Sequence, residues 1–357
     1  MLNLLVNLNI HFKIINMKKA SGFLTSAVVL SQSSTQFSWT TTAKNAKAHS
    51  SESTSLAGHP LPGWYQHGKL GIFMHLGLYS KPVWAKGTKL PLAEIMTETA
   101  GEKWFANNPY AGWYYNSLRI KASSLKKRYT KIYGSNFSYF DSATQVDMAI
   151  KKLNAAIITR IIKDAGARYV VLTTKHCEDF LMGPGKTQNP FIRNYHAGRD
   201  IVGELTTAVR KQNRRAGTYY SSGLDWTFNP KAISNFPDLF QAVPQQQVYA
   251  DYIDKHWNEL INRCKPTLLW ADIGSPTAYN PIPMITDYYN AVPNGIVKNR
   301  QKLGLTLTGL ETTVPHDITA PEYQVLDSIT KKNGKSAVAL AFHLDIIKPK
   351  MQLNFYL

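Results

Sequence analysis

The chain has 357 residues, 44% of them hydrophobic, and 41 lysines and arginines against 23 aspartates and glutamates give a formal charge of +18. That length suits one large domain or two ordinary ones, and that apolar fraction can bury a sizeable core, which excludes disorder of the whole chain. Two cysteines, Cys177 and Cys264, are too few for a disulfide framework or a structural zinc site, and no run of ~18 apolar residues offers a spanning helix.

The charge is uneven. Residues 1–60 hold five lysines against Glu52, residues 113–165 ten basic residues against three aspartates, and residues 331–357 five lysines against Asp345. The basic stretch Arg119–Lys131 lacks aromatic interleaving, a repeat or a known nucleic-acid motif, so it reads as a solvated face and no nucleic acid is expected as a partner.

Residues 1–60 are rich in Ser, Thr, Asn and Lys and show no sustained periodicity, so they read as a signal-like or disordered segment ahead of a folded unit over 61–357. Within them Met17-Lys18-Lys19 precedes the apolar run Gly22–Leu30, and Ala46-Lys47-Ala48 has the small-x-small form of a cleavage site. As a signal the segment sends the protein out of the cytoplasm; as a disordered tail it leaves it there.

From Gly63 onward short apolar runs alternate with longer amphipathic ones. Strands are predicted at Leu70–Leu76, Arg168–Thr173, Arg215–Ser221, Thr267–Ile273, Gly295–Asn299 and Met351–Phe355. Helices are predicted at Ala155–Ala165, Arg199–Gln212, Tyr249–Cys264, Ile285–Val292 and Ser336–Ile347. Continuous apolar strands separated by helices imply parallel strands buried on both faces, in a (β/α) barrel or a doubly wound sheet. No glycine-rich phosphate loop follows any strand, which weakens nucleotide-binding versions of the latter.

Polar residues gather just after strand ends: His75, His176 with Glu178, Asp225, Asp272 and Arg300. In a barrel, carboxyl strand ends converge on one mouth, where such enzymes react. Asp272, in the run LLWADIG, is either a desolvated nucleophile or acid, or the cap of the next loop. His75 and His176 suit sugar hydroxyls, a metal with Asp272, or structural hydrogen bonds; H-x-H and H-x-x-x-H spacings are absent, and no metal or cofactor is expected. Trp84, Trp113, Trp226 and Trp270, with Tyr219-Tyr220, suit either sugar stacking or plain core. Cys177 beside His176 suggests a thiolate pair, but neighbours on a strand point to opposite faces.

Read in order, the blocks HGKLGIFMHLGLYSKPVW (67–84), FANNPYAGWYYNSLRI (105–120), DAGARYVVLTTKHCEDF (164–180), GRDIVGEL (198–205), YYSSGLDWTF (219–228), HWNELI (256–261), LLWADIG (268–274) and HDITAPEY (316–323) resemble the bacterial-type α-L-fucosidases of glycoside hydrolase family 29. The resemblance implies an α/β fold, a (β/α) TIM-like barrel, and retaining removal of terminal α-L-fucose from a fucosylated glycan or glycoside. It implies Asp272 as the nucleophile and His75, Trp113, His176, Tyr220, Trp270 and Arg300 as sugar-binding residues.

The departures from the family pattern carry expectations of their own. Gly112 stands where the family usually has Glu before the tryptophan, Cys177 where it has a second sugar-binding histidine, and Gly183 near an expected tryptophan. No W-E block precedes an S-F-G-Y-N block, and neither Glu311 nor Glu322 matches the expected acid/base position. A deletion after Asp327 accounts for this, and predicts an incomplete barrel without the family's C-terminal β-sandwich and impaired hydrolysis. The alternative is a degenerate, non-catalytic sugar-binding relative.

Overall fold

The computed structural model describes residues 48–299, apart from 52–54, 57, 69, 83, 85–97, 109 and 273, together with two later strand segments, 310–311 and 343–347. Arg300, Glu322, the signal-like stretch before residue 48 and the strand expected at Met351–Phe355 lie outside the described residues.

Six parallel strands follow one another in chain order: β1 (Gly71–His75), β2 (Tyr169–Lys175), β3 (Arg215–Ser221), β4 (Leu268–Asp272), β5 (Ile296–Asn299) and β6 (Leu310–Glu311). A seventh, β7 (His343–Ile347), runs antiparallel along the other edge of β1, giving the sheet order β6-β5-β4-β3-β2-β1-β7. Among the described residues the two end strands, β6 and β7, are not paired with each other. This is an α/β fold of the TIM-like kind, in which parallel strands need long helical crossovers and the carboxyl ends of the six parallel strands face the same way.

The strand sequences fit burial on both faces. Tyr169–Lys175 (YVVLTTK) is buried at every residue and rich in β-branched side chains. One face packs Ile72, Met74, Val170, Leu172, Tyr220, Leu269, Ala271 and Val297 under the helices. The other gathers Phe73, Tyr169, Val171, Tyr219, Leu268, Trp270 and Ile296 with Tyr65.

The crossover helices carry their own start and stop signals. Asn154 caps Ala155–Asp164 by accepting from the Ile157 N–H at 3.1 Å, and Asp200 caps Ile201–Lys211 by accepting from the Gly203 N–H at 3.0 Å. Gln247–Cys264 ends where Lys265 takes a left-handed conformation, φ 41°.

The helix predicted over Ser336–Ile347 needs correction, because its last five residues form β7. His343-Leu344-Asp345-Ile346 alternates polar and apolar with the period of a strand, and the edge of β1 supplies hydrogen-bond partners through the register His75↔His343 to Gly71↔Ile347. A single-sequence reading of the preceding alanine-rich stretch hides that alternation.

Candidate active site

Four neighbouring strands bring the site together at their carboxyl ends. Asp272 is the last residue of β4 and half-buried, level with Ser221 of β3. Its Oδ2 accepts a 3.0 Å hydrogen bond from the Tyr219 hydroxyl. Burial, and then the Asp272 carboxylate beside it, push the Tyr219 hydroxyl well above its ordinary titration range, so it stays protonated and donates.

Trp270 lies two residues back on the same face as Asp272, level with Tyr219 on one side and Lys298 on the other. The Lys298 ammonium sits 3.7 Å from the centroid of the indole, a desolvated cation–π contact. Phe73 meets Trp270 edge-on at 5.0 Å and Tyr219 edge-on at 5.3 Å, and stacks on His75 at 4.1 Å. The alternation of β1 thus sets Phe73 beneath His75 as an aromatic floor.

His176 follows β2, and its ring stacks on Tyr219 at 5.6 Å, 18° from parallel, while His75 lies 6.3 Å away. Tyr79 meets the His176 ring edge-on at 5.1 Å. The remaining edge is bordered by Gly112, where an added Cβ would lie 2.7 Å from His176 Cε1 and fill the space beside it. Only glycine lets the backbone approach the imidazole so closely.

His75, His176, Trp270 and Asp272, expected from the sequence, therefore meet around Tyr219 and Phe73. Trp113 stands one residue beyond Gly112, but its ring belongs to an aromatic cluster with Phe105 at 5.8 Å, Trp104 at 6.2 Å and Trp226 at 6.4 Å. Tyr220 is turned to the opposite face of β3, where it is fully buried and its hydroxyl lies 2.8 Å from His256 Nδ1. Of the pair Tyr219-Tyr220, Tyr219 is the member that strand alternation puts level with Trp270.

Asp225 also belongs to that opposite side. Lys175 Nζ lies 2.6 Å from Asp225 Oδ2 and 3.1 Å from Asp179 Oδ1, all three side chains being wholly buried. The same ammonium donates to the Ser221 carbonyl at 3.1 Å, and the Tyr252 hydroxyl donates to Asp179 at 2.7 Å. Burial and the adjacent Asp179 push the Asp225 carboxyl up to about 7, against the opposing pull of Lys175. The cluster ties the segment carrying His176 to the turn after β3. An adjoining small pocket, lined by Lys175, Tyr220, His256 and Arg263, lies on this side of the sheet, away from Asp272.

Among the described residues no group of three or more His, Cys, Asp or Glu side chains is arranged to hold a metal ion, and no helix is long and apolar enough to cross a membrane. Chemically, the arrangement offers a carboxylate held by a phenol beside an indole, flanked by two imidazoles.

Comparison with known proteins agrees with these blocks. The family model described as Alpha-L-fucosidase matches residues 36–339. An alpha-L-fucosidase of Dictyostelium discoideum is 34% identical over 218 residues, covering 60% of this chain and 41% of that protein. The Bos taurus tissue alpha-L-fucosidase is 33% identical over 219 residues, covering 61% and 40%. The chain thus spans about two fifths of the length of the curated relatives it matches. A Thermotoga maritima alpha-L-fucosynthase, solved in complex with alpha-L-Fuc-(1-2)-beta-L-Fuc-N3, superposes with a TM-score of 0.66 at 36% identity, covering 71% of this chain and 57% of that one. The Thermotoga maritima alpha-fucosidase in complex with fucose gives 0.63 at 36% identity with the same coverage.

Proposed function

The chain belongs to the alpha-L-fucosidase family, and from that premise we propose that it is a glycoside hydrolase acting on terminal α-L-fucose, by a retaining mechanism with Asp272 as nucleophile. The observation that carries this reading is the half-buried Asp272 carboxylate at the mouth of β4, hydrogen-bonded to Tyr219 and two residues from Trp270.

In the first step Asp272 attacks the anomeric carbon, a carbon–oxygen bond to the enzyme forms and the glycosidic bond breaks, its electrons leaving on the aglycone oxygen. Water then attacks the anomeric carbon, the bond to Asp272 breaks with its electrons returning to the carboxylate, and the water's proton passes to solvent or to the departed aglycone oxygen. The Tyr219 hydroxyl orients Asp272 throughout, the indole of Trp270 offers an apolar wall to the sugar's C–H face, and His75 and His176 offer polar groups to its hydroxyls. Trp113, Tyr220 and Arg300 complete the proposed set, with Tyr220 acting from beneath the strand through packing.

Retaining hydrolysis requires a second carboxyl group roughly 5–5.5 Å from the nucleophile to protonate the leaving oxygen. Among the described residues, Glu178, Asp179 and Asp225, which follow β2 and β3, are fully buried and engaged with His176 or Lys175, while Glu311 ends β6. A site that lacks this acid loses general acid–base help of ~10²–10⁴-fold, and its turnover is confined to substrates with good leaving groups.

The test is hydrolysis of an activated aryl α-L-fucoside by the wild type and by Asp272→Gly. Activity that disappears in the variant and returns with added azide supports the reading; equal rates in the two proteins would sink it. Fucose binding by calorimetry without any hydrolysis would leave the second reading, a sugar-binding relative, which the engagement of the buried carboxylates favours.

A further inference from the structure

We infer that Glu178 is a positioning residue of this site: buried behind His176, it holds the imidazole through Nδ1 as an imidazolium, so that Nε2–H is the donor presented to a sugar oxygen. The inference rests on the fucoside reading above and adds to it the state in which His176 works.

Glu178 is wholly buried between the turns that follow β1 and β2. Its Oε1 accepts from the Leu78 N–H at 3.0 Å, and an added Cβ on Gly77 would stand 2.2 Å from that oxygen, so the first turn leaves room for this carboxylate only because it has glycine there. The other oxygen, Oε2, makes no hydrogen bond and lies 3.5 Å from His176 Nδ1, which makes none either. A buried carboxylate without a compensating cation is costly, and His176 is the cationic group facing it among the described residues.

The ring cannot turn away. Tyr219 covers one face, Tyr79 meets it edge-on, and the Gly112 backbone borders the Cε1 and Nε2 edge, where the absence of a Cβ leaves room beside Nε2. The titratable groups around it are Glu178, the Cys177 thiol, Tyr79, Tyr219 and, 6.3 Å off, His75. Glu178 is faced in turn by Tyr139 and Tyr195, whose hydroxyls burial, and then Glu178, push well up, so neither carries charge. Burial pushes the imidazole down, but Cys177 and Glu178 outweigh it and hold His176 well above its usual range. Cys177 Sγ itself turns to Ser221 Oγ at 3.4 Å, leaving the carboxylate as the partner of the charged ring.

The experiment is titration of the histidine resonances of the full chain by NMR, with His176 assigned through His176→Gln. The expected result is a wild-type His176 that titrates above 6.5. Glu178→Gln lowers that value by at least one pH unit, a tenfold change in the protonation ratio, Glu178→Asp restores part of it, and Cys177→Ser leaves it raised. A wild-type value at or below 6.5 overturns the inference without any variant having to fold, and so does a fall in Cys177→Ser that Glu178→Gln does not match. The alkaline limb of kcat/KM on the aryl fucoside moves with the same variants. Titration shifts as expected in a protein that neither hydrolyses nor binds fucose support the Glu178–His176 pair and overturn the fucosidase reading instead.

Discussion

Tyr219 and Asp272 are joined by a 3.0 Å hydrogen bond across adjacent strands, the phenol donating from β3 to the last carboxylate of β4. The contact exists because the parallel register sets Ser221 level with Asp272, so that Tyr219, two residues back on the same face, reaches forward past Trp270. Removing the hydroxyl takes this donor away from the carboxylate. A hydrogen bond to a charged group contributes about 1.5–3 kcal/mol, so Tyr219→Phe is expected to lower kcat/KM on an aryl α-L-fucoside by roughly 10-fold or more. Tyr220→Phe, which alters the opposite face, is expected to act on thermal stability instead. Equal kinetic losses in the two variants would contradict the assignment.

Gly112 bears on sugar affinity. In Gly112→Ala the new methyl would meet His176 Cε1 at 2.7 Å, and the ring is already bounded by Tyr79, Tyr219 and Glu178. The imidazole must shift, so the dissociation constant for fucose, read by calorimetry, is expected to rise several-fold while the melting temperature changes little. A drop in stability with affinity unchanged would show that the backbone had moved and the ring had not.

Lys298 anchors Trp270. Its ammonium lies 3.7 Å from the indole centroid and the side chain is buried, a setting in which a cation–π contact is worth about 2 kcal/mol. Lys298→Met is expected to reduce unfolding free energy in urea by about that amount or more and to loosen Trp270, seen as a red shift of its fluorescence. An unchanged denaturation midpoint would mean that the cation contributes nothing at this position.

The buried Asp225 gives stability a pH dependence whose sign follows from proton linkage. Its carboxyl, raised from 3.8 to about 7 by burial and Asp179, keeps its proton in the folded state while the unfolded chain releases it. The contribution is therefore full below about 4 and lost as pH rises through about 7, at up to ~1.4 kcal/mol per pH unit for one proton. His256 acts oppositely: burial lowers it from 6.5 to about 4, so its contribution is full above 6.5 and is lost on the way down to 4. Because the two oppose each other, the difference between wild type and Asp225→Asn is the quantity to measure. That difference, from urea denaturation at pH 5, 6, 7 and 8, is expected to move in favour of the variant as pH rises, and a flat difference would rule the proton out.

Much of the fold was legible because it rests on local signals. Arg215–Ser221 is a strand with the bounds its sequence suggests, and the helix Ala155–Asp164 begins at its Asn154 cap and stops before Gly166. The antiparallel β7 was not legible, because its identity depends on a distant edge, that of β1, and not on its own propensity.

The site divides in the same way. Residue types and spacing mark Asp272, Trp270, His75 and His176 as polar and aromatic strand ends, since a strand's carboxyl end is written in its own run of apolar residues. Which tyrosine of the Tyr219-Tyr220 pair faces Asp272 depends on the register between β3 and β4, which no local pattern encodes. The contact of Gly112 with His176 and of Glu178 with Gly77 likewise joins segments tens of residues apart. The sequence by itself determined the alternation of strand and helix, the buried faces and the chemical types at the strand ends, because periodicity and capping act over a few residues. Only the tertiary structure decided which of those side chains meet, because strand register and the close approach of glycine backbones are set by the packing of the whole sheet.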